Sequence, residues 1–163
     1  MEVGEVLKTL ESNFPDGVKS IDIEGFDPSA TIEASSLLEI CSFLKSDKKL
    51  KFTSLMCLSG VDFEEKMEIV YHLHSLHYNH KVTLKVELPR EKPALPSVVS
   101  IWIGADWHER EVFDLYGIHF EGHPNLKRIL LPDDWEGFPL RKDHVDADKY
   151  RGWTIRKIKE GYE

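Results

Sequence analysis

Between residues 106 and 117 the chain reads DWHEREVFDLYG, which sets Glu109, Arg110, Glu111 and Asp114 among Trp107, Val112, Phe113, Leu115 and Tyr116. Carboxylates this close to large apolar groups can act as a general acid and base, because burial moves a carboxyl pKa toward neutrality. They can equally form a structural ion-pair cluster or the charged part of a protein interface. On one helix Arg110 and Asp114 would be four residues apart, the spacing at which such side chains pair. An exposed pair of that kind contributes little by itself. A second candidate is His72 and His74, two apart on a strand and so on one face, where both could reach one metal ion, with His77 and His80 nearby. No third ligand is fixed by local spacing, and a strand with one wet face shows the same alternation of polar residues.

Other chemistry is not written in the sequence. There is no glycine-rich phosphate loop, no G-x-S-x-G, no H-E-x-x-H and no cysteine cluster fit to hold iron and sulfur. Cys41 and Cys57 lie far apart in the apolar runs LLEICSFL and TSLMCLSG, which predicts buried, reduced thiols and a reducing compartment. The net charge of -8 argues against a general nucleic-acid or anionic-membrane surface, since those need clustered Lys and Arg. Protein or small-molecule partners are expected instead. The start MEVGEVLKTL lacks the apolar core of a signal peptide, and no apolar run approaches the ~20 residues of a membrane span.

The elements that must position these groups form a compact mixed domain of 163 residues, a length suited to one substantial core. Val3, Val6, Leu7 and Leu10 fall on one face of a first helix, which ends at FPDGVKS. VKSIDIEG and ATIEA predict two short strands around a turn at FDPS. Ser35 or Ser36 can cap a second helix with Leu37, Leu38, Cys41 and Leu44 inward. FTSLMCLSGVDF predicts a buried strand ending at Gly60. The clearest hairpin alternates Met67, Ile69, Tyr71 and Leu73 with Val82, Leu84, Val86 and Leu88, its turn near Tyr78 and Asn79. After Pro96, the spacing of Val98, Ile101, Trp102 and Ala105 fits a short helix, with a strand as the alternative. Asp106 and Glu109 resemble a capping box, so the WHEREVFDLY stretch is predicted as a helix stopped by Gly117.

The next stretch, IHFEGHPNLKRILLPDDWEGFPLRKDH, is dense in large side chains yet interrupted by Pro124, Pro132 and Pro139 and by Gly122 and Gly137. It can be neither a long helix nor a central strand. Phe120, Leu126, Ile129, Leu130, Leu131, Trp135, Phe138 and Leu140 are too many to leave in water, at ~1.5 to 3 kcal/mol for each one buried. The first half of this ribbon is expected to fold back on its own sheet. Beyond Pro132 a second polypeptide is the expected cover, with residues 132–143 ordered only against it.

The run E-R-E, D-L-Y-G-I, G-H-P, R-I-L, D-W-E-G and P-L-R-K-D, in this order and spacing, resembles the signature of the thirty-kilodalton (C) subunit of respiratory complex I, NADH:quinone oxidoreductase. The likeness extends from about Ser59 to Asp143 and loosely over the α-β-β-α start, and it departs in the tail HVDADKYRGWTIRKIKEGYE. The resemblance implies a two-layer α+β domain with a mixed sheet covered by helices over residues 1–120, and an irregular C-terminal extension over residues 121–163 that meets partner subunits. It implies a subunit without cofactor or active site of its own, while NADH, FMN, iron-sulfur clusters and quinone belong to its partners. Those partners would be hydrophilic-arm subunits, chiefly the quinone-site and iron-sulfur subunits, peripheral on the cytoplasmic side of a bacterial or archaeal cell membrane. On this reading Glu109, Arg110, Glu111 and Asp114 anchor their helix, while His123, Arg128, Trp135, Arg141, Lys142 and Asp143 hold the ribbon to its partner. The alternatives are the equivalent subunit of an energy-converting hydrogenase or other quinone- or phenazine-reducing dehydrogenase, a free-standing enzyme using the carboxylates around Glu109, and a metal-binding module using His72 and His74.

Overall fold

The computed structural model describes residues 2–154 apart from residue 146. Its centre is a five-stranded mixed sheet in the order β1-β2-β5-β4-β3, formed by β1 (Val18–Asp22), β2 (Ser29–Ile32), β3 (Ser54–Asp62), β4 (Lys66–Ser75) and β5 (His80–Pro89). All neighbours are antiparallel except β2 and β5, which pair in parallel from Ser29 opposite Thr83 to Ile32 opposite Val86. With three helices, α1 (Val3–Asn13), α2 (Leu37–Ser46) and α3 (Ala105–Tyr116), this is the expected α+β fold.

The hairpin β4–β5 forms because its apolar residues alternate at the strand period. Met67, Ile69, Tyr71 and Leu73 face one way with Val82, Leu84, Val86 and Leu88, and all eight are buried. They join Val6, Leu7 and Leu10 of α1 and Leu37, Ile40, Cys41 and Leu44 of α2 in one core. The turn falls at Asn79, in the left-handed conformation that asparagine tolerates (φ 52°). In α2 the inward residue is Ile40, whereas Leu38 is turned to the surface.

Strand β3 departs from the expected buried strand ending at Gly60. It runs on to Asp62, lies at the sheet edge and is mostly half-buried, because only β4 pairs with it. It reaches the core through buried Leu58 and meets α3 at Gly60, where an added Cβ would stand 3.0 Å from the Tyr116 ring and 3.1 Å from Val112. The absent side chain lets α3 lie close on the strand.

After the short strand β6 (Ala94–Pro96), the predicted helix is instead a run of turns in which Val98 O accepts from both Ile101 N and Trp102 N. Val98, Ile101, Trp102 and Ala105 are nevertheless buried, and Trp102 Nε1 donates to Phe52 O at 3.0 Å. Strand β6 pairs in parallel with β7 (His119–Glu121), and a last small hairpin joins β8 (Lys149–Tyr150) to β9 (Trp153–Thr154).

One core group is poorly matched to its surroundings. The Tyr71 hydroxyl is buried with no hydrogen-bond partner among the described residues. Removing an unsatisfied buried polar group recovers its desolvation cost, so Tyr71→Phe is expected to stabilise the chain by about 1 kcal/mol in denaturant unfolding. A loss of stability would show that the hydroxyl is bonded.

Candidate functional site

Helix α3 starts at Ala105 with Gly104 at its N-cap and no side-chain cap, so the predicted capping box does not form. Glu109 is used elsewhere. Fully buried, its carboxylate accepts from Ser97 Oγ at 2.6 Å and Val98 N at 2.7 Å, tying the helix to the turn before it. Burial, the dominant influence, pushes its pKa up to about 7 against these two bonds, and Asp106 adds to the rise. His123 approaches from the ribbon, its Nε2 at 3.1 Å from Asp106 Oδ1 and 3.9 Å from Glu109 Oε2. Its Nδ1 accepts from Asn125 N at 3.0 Å, which leaves the ring proton on Nε2, toward Asp106.

Asp114 is not paired with Arg110. Its Oδ2 accepts from the consecutive amides of Ile129, Leu130 and Leu131 at 2.9, 2.7 and 3.0 Å, and its Oδ1 accepts from Arg128 Nη1 at 2.9 Å. A fully buried carboxylate needs several converging donors, and a bent backbone with a guanidinium supplies more of them than one exposed i,i+4 contact. Burial alone would raise the Asp114 pKa, but the three amides and Arg128 outweigh it and hold the group below the usual carboxylate range. Arg110, largely buried, donates to Lys127 O at 3.2 Å and lays its guanidinium over Trp107, 4.8 Å from the ring centroid. Glu111 is exposed and makes no hydrogen bond or ion pair among the described residues.

The end of α3 shows why this ribbon follows this helix. Gly117 adopts φ 70° and stops it as expected. Three carbonyls of the last turn then receive donors from the ribbon: Asp114 O from Arg128 Nη1, Leu115 O from Leu140 N and Tyr116 O from Arg141 Nε. Cationic groups here also complement the negative end of the helix dipole. Phe138 lies directly on Gly117, where a Cβ would stand 2.4 Å from its ring, and both Arg128 and Arg141 reach that ring. Arg128 further donates to Trp135 O and Gly137 O.

The ribbon end is fastened as well. Asp62, almost fully buried, accepts from Arg90, Glu64 N and Lys142 N, while Arg90 also pairs with Asp143 at 2.9 Å. Burial would raise the Asp62 pKa, but Arg90 and the two amides bring it down to about 2. The Lys142 ammonium stands 3.6 Å from Glu64 in an exposed pair. Trp135 lies 5.3 Å from Tyr150, and Asp134 bonds Tyr150 and Arg151, so the ribbon also meets the last hairpin. Residues 132–143 are thus tied to their own domain, with Leu140 still 49% exposed. Backbone carbonyls and amides do this work, and they carry no mark in the sequence. Of the residues that tie this site together, sequence reasoning missed Ser97, Asp62 and Arg90. Asp62 had one signal, a carboxylate ending an otherwise uncharged strand.

The histidines of β4 diverge. His72 Nδ1 is 3.2 Å from Thr83 Oγ1, and His74 Nε2 is 3.2 Å from Asn79 Oδ1. No group of three metal-ligating side chains converges among the described residues.

A family described as respiratory-chain NADH dehydrogenase, 30 Kd subunit, matches residues 30–150. The chain belongs to this family. Its relatives include the NADH-quinone oxidoreductase C subunit of Chloroherpeton thalassium, 43% identical over 91% of this chain, a match that spans 63% of that relative's length. The same subunit of Chlorobium phaeobacteroides is 42% identical over 90% of each chain. Among solved structures, the trypsin-resistant fragment of Nqo5 matches with TM-score 0.64 and 30% identity over 74% of this chain and 98% of that one. A chain of the archaeal membrane-bound sulfane sulfur reductase shares the fold, with TM-score 0.72 at 23% identity over 93% of this chain and 98% of that one.

Asp114→Ala would leave Arg128 and three amides without their acceptor, so a loss of about 3 to 5 kcal/mol is expected in denaturant unfolding. A change under ~1 kcal/mol would show that the ribbon is held by other means. Glu109 gives a pH signature. Between its usual range near 4.5 and about 7 the folded chain holds a proton that the unfolded chain releases, so stability falls as pH rises through that window. The fall is on the order of 3 kcal/mol, and Glu109→Gln should flatten it. An unchanged slope in the variant would assign the pH dependence to other groups.

Proposed function

We propose that the chain is a cofactor-free, non-catalytic scaffold in the hydrophilic arm of an NADH:quinone oxidoreductase, where it braces the quinone-site and iron-sulfur subunits. NADH, FMN, the clusters and quinone are bound by those partners. Electron transfer depends on reacting groups being held in place, so such a brace affects turnover without touching the electrons. The observation that carries this reading is the use of its buried carboxylates as structural ties. Asp114 and Glu109, two of the three groups an acid–base reading would draw on beside exposed Glu111, are fully buried and engaged by backbone amides, Arg128 and Ser97. They join helix to ribbon and helix to turn, the work of a rigid strut. No helix among the described residues is long and apolar enough to cross a membrane, and the proposal places the chain at the cytoplasmic face of a bacterial or archaeal membrane through its partners.

Affinity purification of the tagged chain from native membranes tests the proposal. It should bring down flavin- and cluster-containing subunits with NADH-dependent quinone reduction, while the chain expressed alone should be colourless. A stoichiometric chromophore or turnover in the isolated chain would overturn the scaffold reading, and partners with hydrogenase activity instead would move the chain to a related complex.

A further inference from the structure

Strand β3 is an edge guarded only by a bulge near its start. Over Ser54–Asp62 it carries no Lys, Arg or Pro, and its one charge, Asp62, is bound by Arg90 and Lys142 N. Edges without such residues are templates for a further strand. A bulge interrupts the register between Leu55 and Cys57, after which residues 57–62 pair with β4 without a break. The other side of β3 has no strand beside it among the described residues.

Helix α3 forms a wall beside this edge. Ile103, Glu111 and Leu115 stand along the strand side of the helix and the turn before it. Ile103 is 86% exposed and Trp107 63%. Two hollows lie between this wall and the strand. One, of about 310 Å³, is bounded by Ser54, Leu55, Lys45 and Ile103. The other, of about 130 Å³, has Gly60 at its base and Val112, Leu115, Tyr116 and Leu140 around it. They are five or six strand residues apart, roughly 17 to 20 Å at ~3.3 Å per residue.

We propose that the groove between β3 and α3 receives an extended segment of another subunit, which adds to the sheet as a sixth strand. The edge backbone of β3 dictates an extended occupant, since only a strand matches its alternating donors and acceptors. The hollows take apolar side chains six residues apart in that segment, the even spacing that spans about 20 Å. Glu111, exposed and unpaired in a chain of net charge -8, faces a Lys or Arg of the segment. The source of the segment rests on the scaffold reading; its extended form rests on the groove.

Hydrogen exchange on the full chain, free and in the purified membrane complex, tests the proposal together with benzoylphenylalanine placed at Met56 or at Ile103. Alternate amides within residues 57–62 should exchange at least ten times more slowly in the complex. Cross-links from both positions should fall within one stretch of a single neighbouring subunit that contains Lys or Arg. Ile103→Asp, at an exposed position, should leave the unfolding midpoint of the free chain unchanged and lower its recovery in the complex about tenfold. Equal exchange in both states of a complex that does form would overturn the groove and leave the scaffold reading standing. So would cross-links to a helix, to this chain's own residues 155–163 or to a second copy. A chain that never joins a complex would overturn both.

Discussion

Asp114 is the point on which the carboxyl-terminal third of the chain depends. A buried carboxylate must be neutralised and fully hydrogen-bonded or it destabilises the fold by several kcal/mol. Here one oxygen gathers three successive amides, bending the backbone of residues 129–131 around itself, and the other takes Arg128. The ribbon therefore turns where the carboxylate stands. Arg128 then reaches onward to the carbonyls of Trp135 and Gly137, so the same charge sets the next bend.

Helix α3 passes this constraint to the rest of the domain. Near its start Glu109 holds the turn at Ser97 and Val98, along its side Val112 and Tyr116 rest on Gly60 of the sheet, and at its end three carbonyls bind ribbon donors. Each contact answers an elementary need: an acid without water, a glycine without a side chain, a helix end without partners. The acids differ in sign of response. Asp62 and Asp114 are held ionised by converging donors, whereas Glu109 has fewer donors to set against its burial and keeps its proton more readily.

This arrangement gives a polypeptide without regular structure the fixity of an element. An irregular segment leaves backbone groups unpaired, and in residues 126–143 some of those groups are matched to side chains of α3 and β3, while Arg90 after β5 pairs with the Asp143 side chain. A family whose members sit in large respiratory assemblies needs such fixed surfaces. Ile103 and Trp107, at the start of α3, are apolar surface that the fold itself leaves in water.

Periodicity made much of the frame legible. The alternation from Met67 to Leu88, the three- and four-residue spacing of Val3, Val6, Leu7 and Leu10 and the stop at Gly117 are local patterns, and each marked its element. The order of motifs from Glu109 to Asp143 also showed the family. Sequence alone could not say that Asp114 would choose Arg128 over Arg110, that Glu109 would serve Ser97 rather than a cap, or that β3 would be an edge. Those outcomes depend on which donors arrive near a buried charge and which strands find a second neighbour. Both are properties of segments far apart along the chain, decided only when tertiary packing removes the water that would otherwise satisfy each group where it stands.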